Sequence, residues 1–394
     1  MKQYIGEAKA VRAFDYLCLA PYFQFNYESS KDKPCVPLVT ETTATEDSRN
    51  NPRATVEQIY TQILTDLNDA ISKLENYDRK GDKTRIDQKV AYGLRARAYL
   101  YMGKYAEAAA DAAKALEGYT PYSREEVSTP AFYSINDHNW IWGISITASD
   151  VTKNGGNPSW PSHLGSFSGS AYAAAVGVYK RINTLLYDQI PDTDIRKQWW
   201  VDENLHSDLL DGLTWGKASG QDIPAYTITD VKVAFVPYTN VKFGMKSGIG
   251  VPPMIATGVS CVLKKCCCEA EGLAMSQQEA QAKHKLEDFV QNYRDPNYVC
   301  TATSKEDLQN EIWKQRRIEL WGEGFAMADI MRLNKPVVRF HGTDTENWPD
   351  AFCFNVEAND PYLLLRIPQK KVTTIQASRT IPEETNQFPC KTRT

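Results

Sequence analysis

Residues 87–116 read DQKVAYGLRARAYLYMGKYAEAAADAAKAL. Ala91, Tyr92, Leu94, Ala98 and Tyr99 recur with helical period, and Ala108, Ala109, Ala112, Ala115 and Leu116 do so again further on. Gly103 breaks the period between the two sets, and Tyr105 follows it closely. The stretch predicts two helices joined by a tight turn. Small residues on one face of each let the helix axes approach, ridge into groove. A hairpin of this kind cannot cover its own apolar face, so neighbouring hairpins are expected.

Ala96, Tyr99, Gly103, Tyr105, Ala108 and Ala115 stand at the offsets that the tetratricopeptide pattern reserves for small, aromatic and glycine residues. The rest of the chain supplies further pairs. Residues 3–23 read as a helix with Ala10, Ala13, Phe14, Leu17 and Leu19 on its apolar side, and Pro21 is expected to end or bend it. Residues 24–54, rich in Ser, Thr, Asp, Asn and Pro, read as loop. Thr55 and Gln58 form a capping box ahead of an unbroken helical run through Val56, Ile59, Tyr60, Ile63, Leu67, Ala70 and Leu74.

After Gly118 the character changes. Residues 119–258 lose charge and gain Gly, Pro, Ser and aromatics, with short extended stretches at NWIWGISIT (139–147) and YTNVKFG (238–244). Trp140 and Trp142 fall on one face of the first and are assigned to the core by alternation. Helical period returns from Val259 to Phe289, and Ser304 with Asp307 caps a helix over 304–321. Gly322 and Gly324 stop that helix, and FAMADIMRL (325–333) starts another. Residues 337–394 read as loop-rich, with PYLLLRIP as a buried extended piece.

The reading is therefore all-α. Two helical pairs occupy 3–118, a loop-rich insertion with a few short strands 119–258, and two further pairs 259–336. A loop-rich region, 337–394, closes one unit over 1–394.

The chain has 394 residues, 42% hydrophobic and 24% charged, with net charge −4. That profile suits a globular protein, and no basic block is present for nucleic acid or anionic lipid. No run of about 18 apolar residues marks a membrane span. The first residues already read as amphipathic helix with no apolar leader, which suggests a processed or truncated start. Cys261 and Cys266 to Cys268 lack the paired spacing of a zinc site and read as buried or incidental thiols. The five histidines, at 138, 163, 206, 284 and 341, show no metal spacing. Neither metal nor cofactor is expected.

The best candidate for a ligand site is the segment 148–172. It contains only two charged residues, Asp150 and Lys153, and carries NGGNPSWPSHLGSFSGSAY. Sugars offer C–H faces that stack on aromatic planes and hydroxyls that pair with amides, hydroxyls and imidazoles. Trp160 leads the candidates, with Asn154, Asn157, His163, Phe167 and Tyr172 beside it. Tyr22, Phe23, Phe25 and Tyr27 form a second aromatic group, read chiefly as core closure. Arg316, Arg317, Glu319, Glu323, Asp329 and Arg332 read as a structural ion-pair network, with Arg317 and Glu323 placed to lock the Gly-x-Gly turn.

Several stretches together resemble the SusD/RagB family. They are GEAKAVRAFDYL, PRATVEQIYTQILTDLNDAI, ARAYLYMGKYAEAAADAAKAL, RINTLLYDQIPDTDIRKQWW, PYTNVKFG, EIWKQRRIELWGEGFAMADIMRLNKP and LLLRIPQKKV, in the family's order. The resemblance implies four tetratricopeptide-like pairs with an inserted ligand-facing region. It implies a Bacteroidetes outer-membrane lipoprotein on the external face that binds a glycan or a peptide. Its partner would be a SusC-type TonB-dependent transporter, its membrane contact an N-terminal lipid anchor not present in these residues, and its role would not be catalytic. No G-x-S-x-G, H-E-x-x-H or P-loop is present, and a glycosidase carboxylate pair meets only in three dimensions. A tetratricopeptide-type interaction scaffold is the competing class.

Overall fold

The structure is a computed structural model of the whole chain. It describes residues 1–47, 51–132, 134–145, 163–164, 179–212, 214–215, 223–224, 236–243, 255–260, 268–340 and 347–367. Its helices are α1 Lys2–Phe23, α2 Tyr27–Ser30, α3 Val56–Lys73, α4 Gln88–Tyr101, α5 Tyr105–Leu116, α6 Thr184–Tyr187, α7 Ala270–Met275, α8 Glu279–Tyr293, α9 Lys305–Glu319 and α10 Ala326–Arg332. The strands are β1 Pro34–Pro37, β2 Arg53–Thr55, β3 Trp140–Ser145, β4 Thr214–Trp215, β5 Ile223–Pro224 and β6 Ile255–Ser260. Among the described residues they form three two-stranded antiparallel sheets, β1–β2, β3–β6 and β4–β5.

The helices pair as α1 with α3, α4 with α5, and α7 with α8, with α9 and α10 completing the array. Each neighbour covers the face the last leaves open: α3 packs on α4, α5 on α7, α7 on α9, and α10 returns to α1. The ends follow the sequence signals. Thr55 Oγ1 accepts from the Gln58 amide at 3.2 Å while Gln58 Oε1 accepts from the Thr55 amide at 2.9 Å. Asp87 caps α4 through the Val90 amide at 2.9 Å, and Ser304 caps α9 through the Asp307 amide at 3.0 Å. Gly103 turns α4 into α5 at φ +71°, a left-handed conformation that side chains disfavour. Where α7 crosses α5, a Cβ on Gly272 would lie 2.6 Å from the Tyr105 carbonyl oxygen, so only glycine permits that approach.

Some elements depart from the sequence reading. Pro21 does not end α1, which runs on to Phe23. A proline in the last turn forfeits a hydrogen bond that the frayed end can spare. The segment 24–54 holds α2, β1 and β2 rather than loop alone. Val259 lies in β6, paired with Trp142, because β3 takes it as a strand partner. Trp140 and Trp142 are both buried, yet the register shifts between them and Ile141 is buried too, so simple alternation fails. The PYLLLRIP stretch forms a 3-10 turn at Pro361–Leu363 with Tyr362 and Leu365 more than half exposed; of its described residues only Leu364 is buried.

Two apolar cores result. One runs through the helical array from Ala10 to Ala328. The other belongs to the insertion, where Tyr122, Phe132, Trp140, Trp199, Trp200 and Val241 gather against Ile318 of α9. Edge-to-face contacts at 5.1 to 5.6 Å join Tyr122 to Phe132, Phe132 to Trp199, and Trp200 to Trp321. The insertion thus has a core of its own instead of merely lying on the helices.

Candidate functional site

Asn154, Asn157, Trp160, Phe167 and Tyr172 lie outside the described residues, as do Cys261, Cys266 and Cys267. His163 is described and partly exposed, and the neighbouring Leu164 is buried. Leu164 and Phe243 close over the Gly322 turn: a Cβ there would meet Phe243 at 2.7 Å and Leu164 at 3.3 Å. His163 therefore stands at the junction of the insertion with the end of α9.

Lys242 ties that junction together. Its ammonium, almost fully buried, donates to the carbonyls of Glu319 at 2.7 Å and Trp321 at 3.1 Å and to Glu323 Oε1 at 2.8 Å. Phe132, Trp199 and Phe243 surround it, with Nζ 4.7 to 4.9 Å from their ring centres. An ammonium over aromatic faces is attracted by their quadrupoles. The sequence reading paired Glu323 with Arg317; Lys242, distant in sequence, takes that place. A lone lysine in PYTNVKFG gives no local signal of such a role.

Behind the junction runs a buried ion-pair network. Arg294 donates two hydrogen bonds to Glu319, at 2.6 and 2.9 Å. Arg196 bonds Asp194 Oδ2 at 2.6 Å and reaches Glu319 Oε2 at 3.4 Å. Arg316 pairs with Asp329, and Arg332 grips Glu271 at 2.6 and 2.7 Å. Burial alone would raise the Glu319 carboxyl, but Arg294, Arg196 and Lys242 together hold it below the usual range. Asp329 is likewise pushed up by burial and pulled further down by Arg316 and Arg332. Glu323, partly buried, is held above the usual range by desolvation despite Lys242. The network reading of these charges holds for its paired members, and none presents a free carboxylate to solvent.

Of the early aromatic group only Tyr27 is buried in the core; Phe23 and Phe25 are half-buried and Tyr22 is exposed. Tyr27 packs edge-on to Tyr60 at 5.2 Å. The cavity beside Phe25, Tyr27, Tyr60 and Tyr101 measures about 10 Å³, room for a water and not a sugar ring. A larger open groove of about 440 Å³ lies along α9, lined by Thr301, Asn310, Trp313, Lys314 and Arg317 among others. The sequence reading missed it because its residues come from one helix face and two loops. At another exposed turn, His206, Asp208 and Asp211 bring three possible ligand atoms within 4.8 Å of one another, an arrangement common on acidic surfaces.

A family model named SusD-like_3, described as starch-binding and associating with the outer membrane, matches residues 1–100. No curated protein matches the chain. Among solved structures, a SusD-like carbohydrate binding protein from Bacteroides vulgatus is 25% identical. The match covers 96% of this chain and 77% of that one, with a TM-score of 0.73. A SusD superfamily protein from Bacteroides thetaiotaomicron, 20% identical over 97% and 78% of the two chains, has a TM-score of 0.73. A laminarin binding SusD-like protein, 21% identical over 97% and 79%, has a TM-score of 0.60; these last two share the fold. Residues 1–100 match the SusD-like family model, and the chain as a whole shares the fold of SusD-like proteins. Among the described residues, no helix is long and apolar enough to cross a membrane.

Proposed function

We propose that this protein binds a glycan at the external face of the outer membrane and passes it to a SusC-type TonB-dependent transporter. The observation that carries the reading is the likeness, over 96% of the chain, to a protein described as SusD-like and carbohydrate binding. The laminarin-binding neighbour and the family's starch-binding description point the same way. A lipid anchor ahead of α1 is part of the proposal, in keeping with the family's association with the outer membrane.

The reading makes the protein a binder and not a hydrolase. Hydrolysis needs two carboxyls beside one glycosidic oxygen. Glu271, Glu319 and Asp329 are at most 1% exposed and each is ion-paired, which keeps them from a sugar. Ligand contact is assigned to Trp160, Asn154, Asn157, His163, Phe167 and Tyr172, of which His163 lies at the junction of the insertion with α9.

Titration calorimetry against laminarin oligosaccharides, other neutral glycans and a peptide pool tests the reading, with chromatography of each mixture. Saturable heat with a glycan and unchanged chromatograms are expected. Binding confined to peptides, or the appearance of shorter sugars, would overturn it.

A further inference from the structure

Arg317 stands out among the arginines around α9. Arg196, Arg294, Arg316 and Arg332 each meet a carboxylate. The guanidinium of Arg317 has no ion pair or hydrogen bond among the described residues, and its Nε is buried without a partner. It lies over the indole of Trp313, with Cζ 4.2 Å from the ring centre. A guanidinium stacked in this way keeps its donors in the plane, directed outward from its edge. The other charges of the groove are already engaged. Lys314 pairs with Glu311 at 2.6 Å, and the Asp307 carboxylate takes the Thr303 hydroxyl at 3.3 Å. The Thr301 hydroxyl and the Asn310 amide nitrogen line the same groove with no hydrogen bond among the described residues.

We propose that this groove is a subsite for an anionic sugar group, a uronate carboxylate or a sulfate ester, held by the guanidinium of Arg317. The inference rests on the glycan-binding reading above and adds the charge of one sugar unit to it. Carboxylate and sulfate both present two oxygens at the spacing of the guanidinium fork, the geometry of strong charge-assisted pairs. About 440 Å³ of space falls in the range that small-ligand sites use. Thr301 and Asn310 supply neutral partners for the ring hydroxyls. Burial depresses the proton affinity of Arg317, with Asp329 opposing it only in part. That desolvation is unrepaid in the free protein, and an incoming anion would repay it.

The test is titration calorimetry of the full chain and of Arg317→Gln. The probes are tetragalacturonate, a sulfated galactan tetrasaccharide, neutral galactan and laminarin oligosaccharides, and a pool of short peptides with free carboxyl ends. Circular dichroism serves as the folding control. The expected result is a loss of roughly tenfold in affinity for at least one acidic probe, with neutral glycan binding unchanged. Which acidic probe responds distinguishes uronate from sulfate. Should Arg317→Gln not fold, Arg317→Lys carries the test, since it keeps the charge but loses the fork; a drop of about threefold is then expected. Equal affinity of wild type and variant for both acidic probes, no binding of either, or an Arg317-dependent response to peptides alone would overturn the proposal. Neutral glycan binding without acidic binding sinks this inference and leaves the glycan reading intact. Absence of binding to every glycan sinks both.

Discussion

Nζ of Lys242 lies 2.8 Å from Oε1 of Glu323, across 81 residues of sequence. One partner comes from the insertion and the other from the turn after α9, so this contact fastens the two cores to each other. Lys242→Met should cost about 3–5 kcal/mol, because it leaves a largely desolvated carboxylate and two carbonyls without their donor. The pH dependence is specific. Burial already holds the Glu323 carboxyl above its usual range. A raised carboxyl contributes stability that is present below its unfolded value and lost as pH rises through the folded one. The penalty of Lys242→Met should therefore be largest at neutral pH and shrink on acidification, as Glu323 protonates. Melting curves at a series of pH values check it; a penalty that grows toward acid would count against the assignment.

Glu319 behaves in the opposite sense. Burial would raise its carboxyl, but Arg294, then Arg196 and Lys242, bring it below the usual range. Asp329 and Asp194 are lowered as well, their burial outweighed chiefly by Arg316 and Arg196. Such groups stabilise above their unfolded values, and that stability is lost as pH falls through the folded ones. The melting midpoint should stay level from neutrality to about pH 5 and fall steadily below it. Glu319→Gln should cost about 3–5 kcal/mol at pH 7 by stranding Arg294, and its acid slope should be shallower than wild type. A wild-type midpoint unchanged down to about pH 3 would show that the network does not carry this share of stability.

Two glycines test the helical array by different physics. Gly103 has φ +71°, and a Cβ there would find only the Tyr105 ring at 3.9 Å. Gly103→Val is therefore a strain mutation, expected to cost about 1–2 kcal/mol. Gly272 has no such backbone demand, but a Cβ would sit 2.6 Å from the Tyr105 carbonyl. Gly272→Ala should force α7 away from α5 and cost about 1–3 kcal/mol by overpacking. Thermal melts with unchanged midpoints would contradict the turn in the first case and the close crossing in the second.

The helical pairs were legible because their signals are local. The Thr55–Gln58 box, the Ser304 cap and the Gly103 turn each rest on residues within one helical turn of one another. The insertion was less legible because its order comes from contacts far apart in sequence. Trp199 packs on Phe132, and Lys242 reaches back over α9 to Glu323; no periodicity announces either. The ion-pair network was half legible. Its members sit together in one helical stretch, but their partners Arg196, Arg294 and Glu271 lie elsewhere in the chain. Arg317, by sequence a member of that network, turned out to face the groove with Trp313.

Trp160 is the residue on which the proposed glycan site depends most. Pro158 and Pro161 flank it, and fixed backbone angles on both sides limit the conformations available to the loop. Shortly after it, Leu164 is buried beside the Gly322 turn at the end of α9. A segment that flanking prolines restrict loses less entropy when a sugar stacks on its aromatic plane. Trp160→Ala should weaken glycan binding by about 1–3 kcal/mol, the scale of an aromatic anchor at an interface. The melting midpoint should hold, because the described cores are built from other residues. Calorimetry on both proteins, with circular dichroism for folding, decides it. Equal affinities in two folded proteins would remove Trp160 from the site. His163, at the insertion's junction with α9, would then be the next position to truncate, since it is the one candidate whose neighbourhood the structure describes.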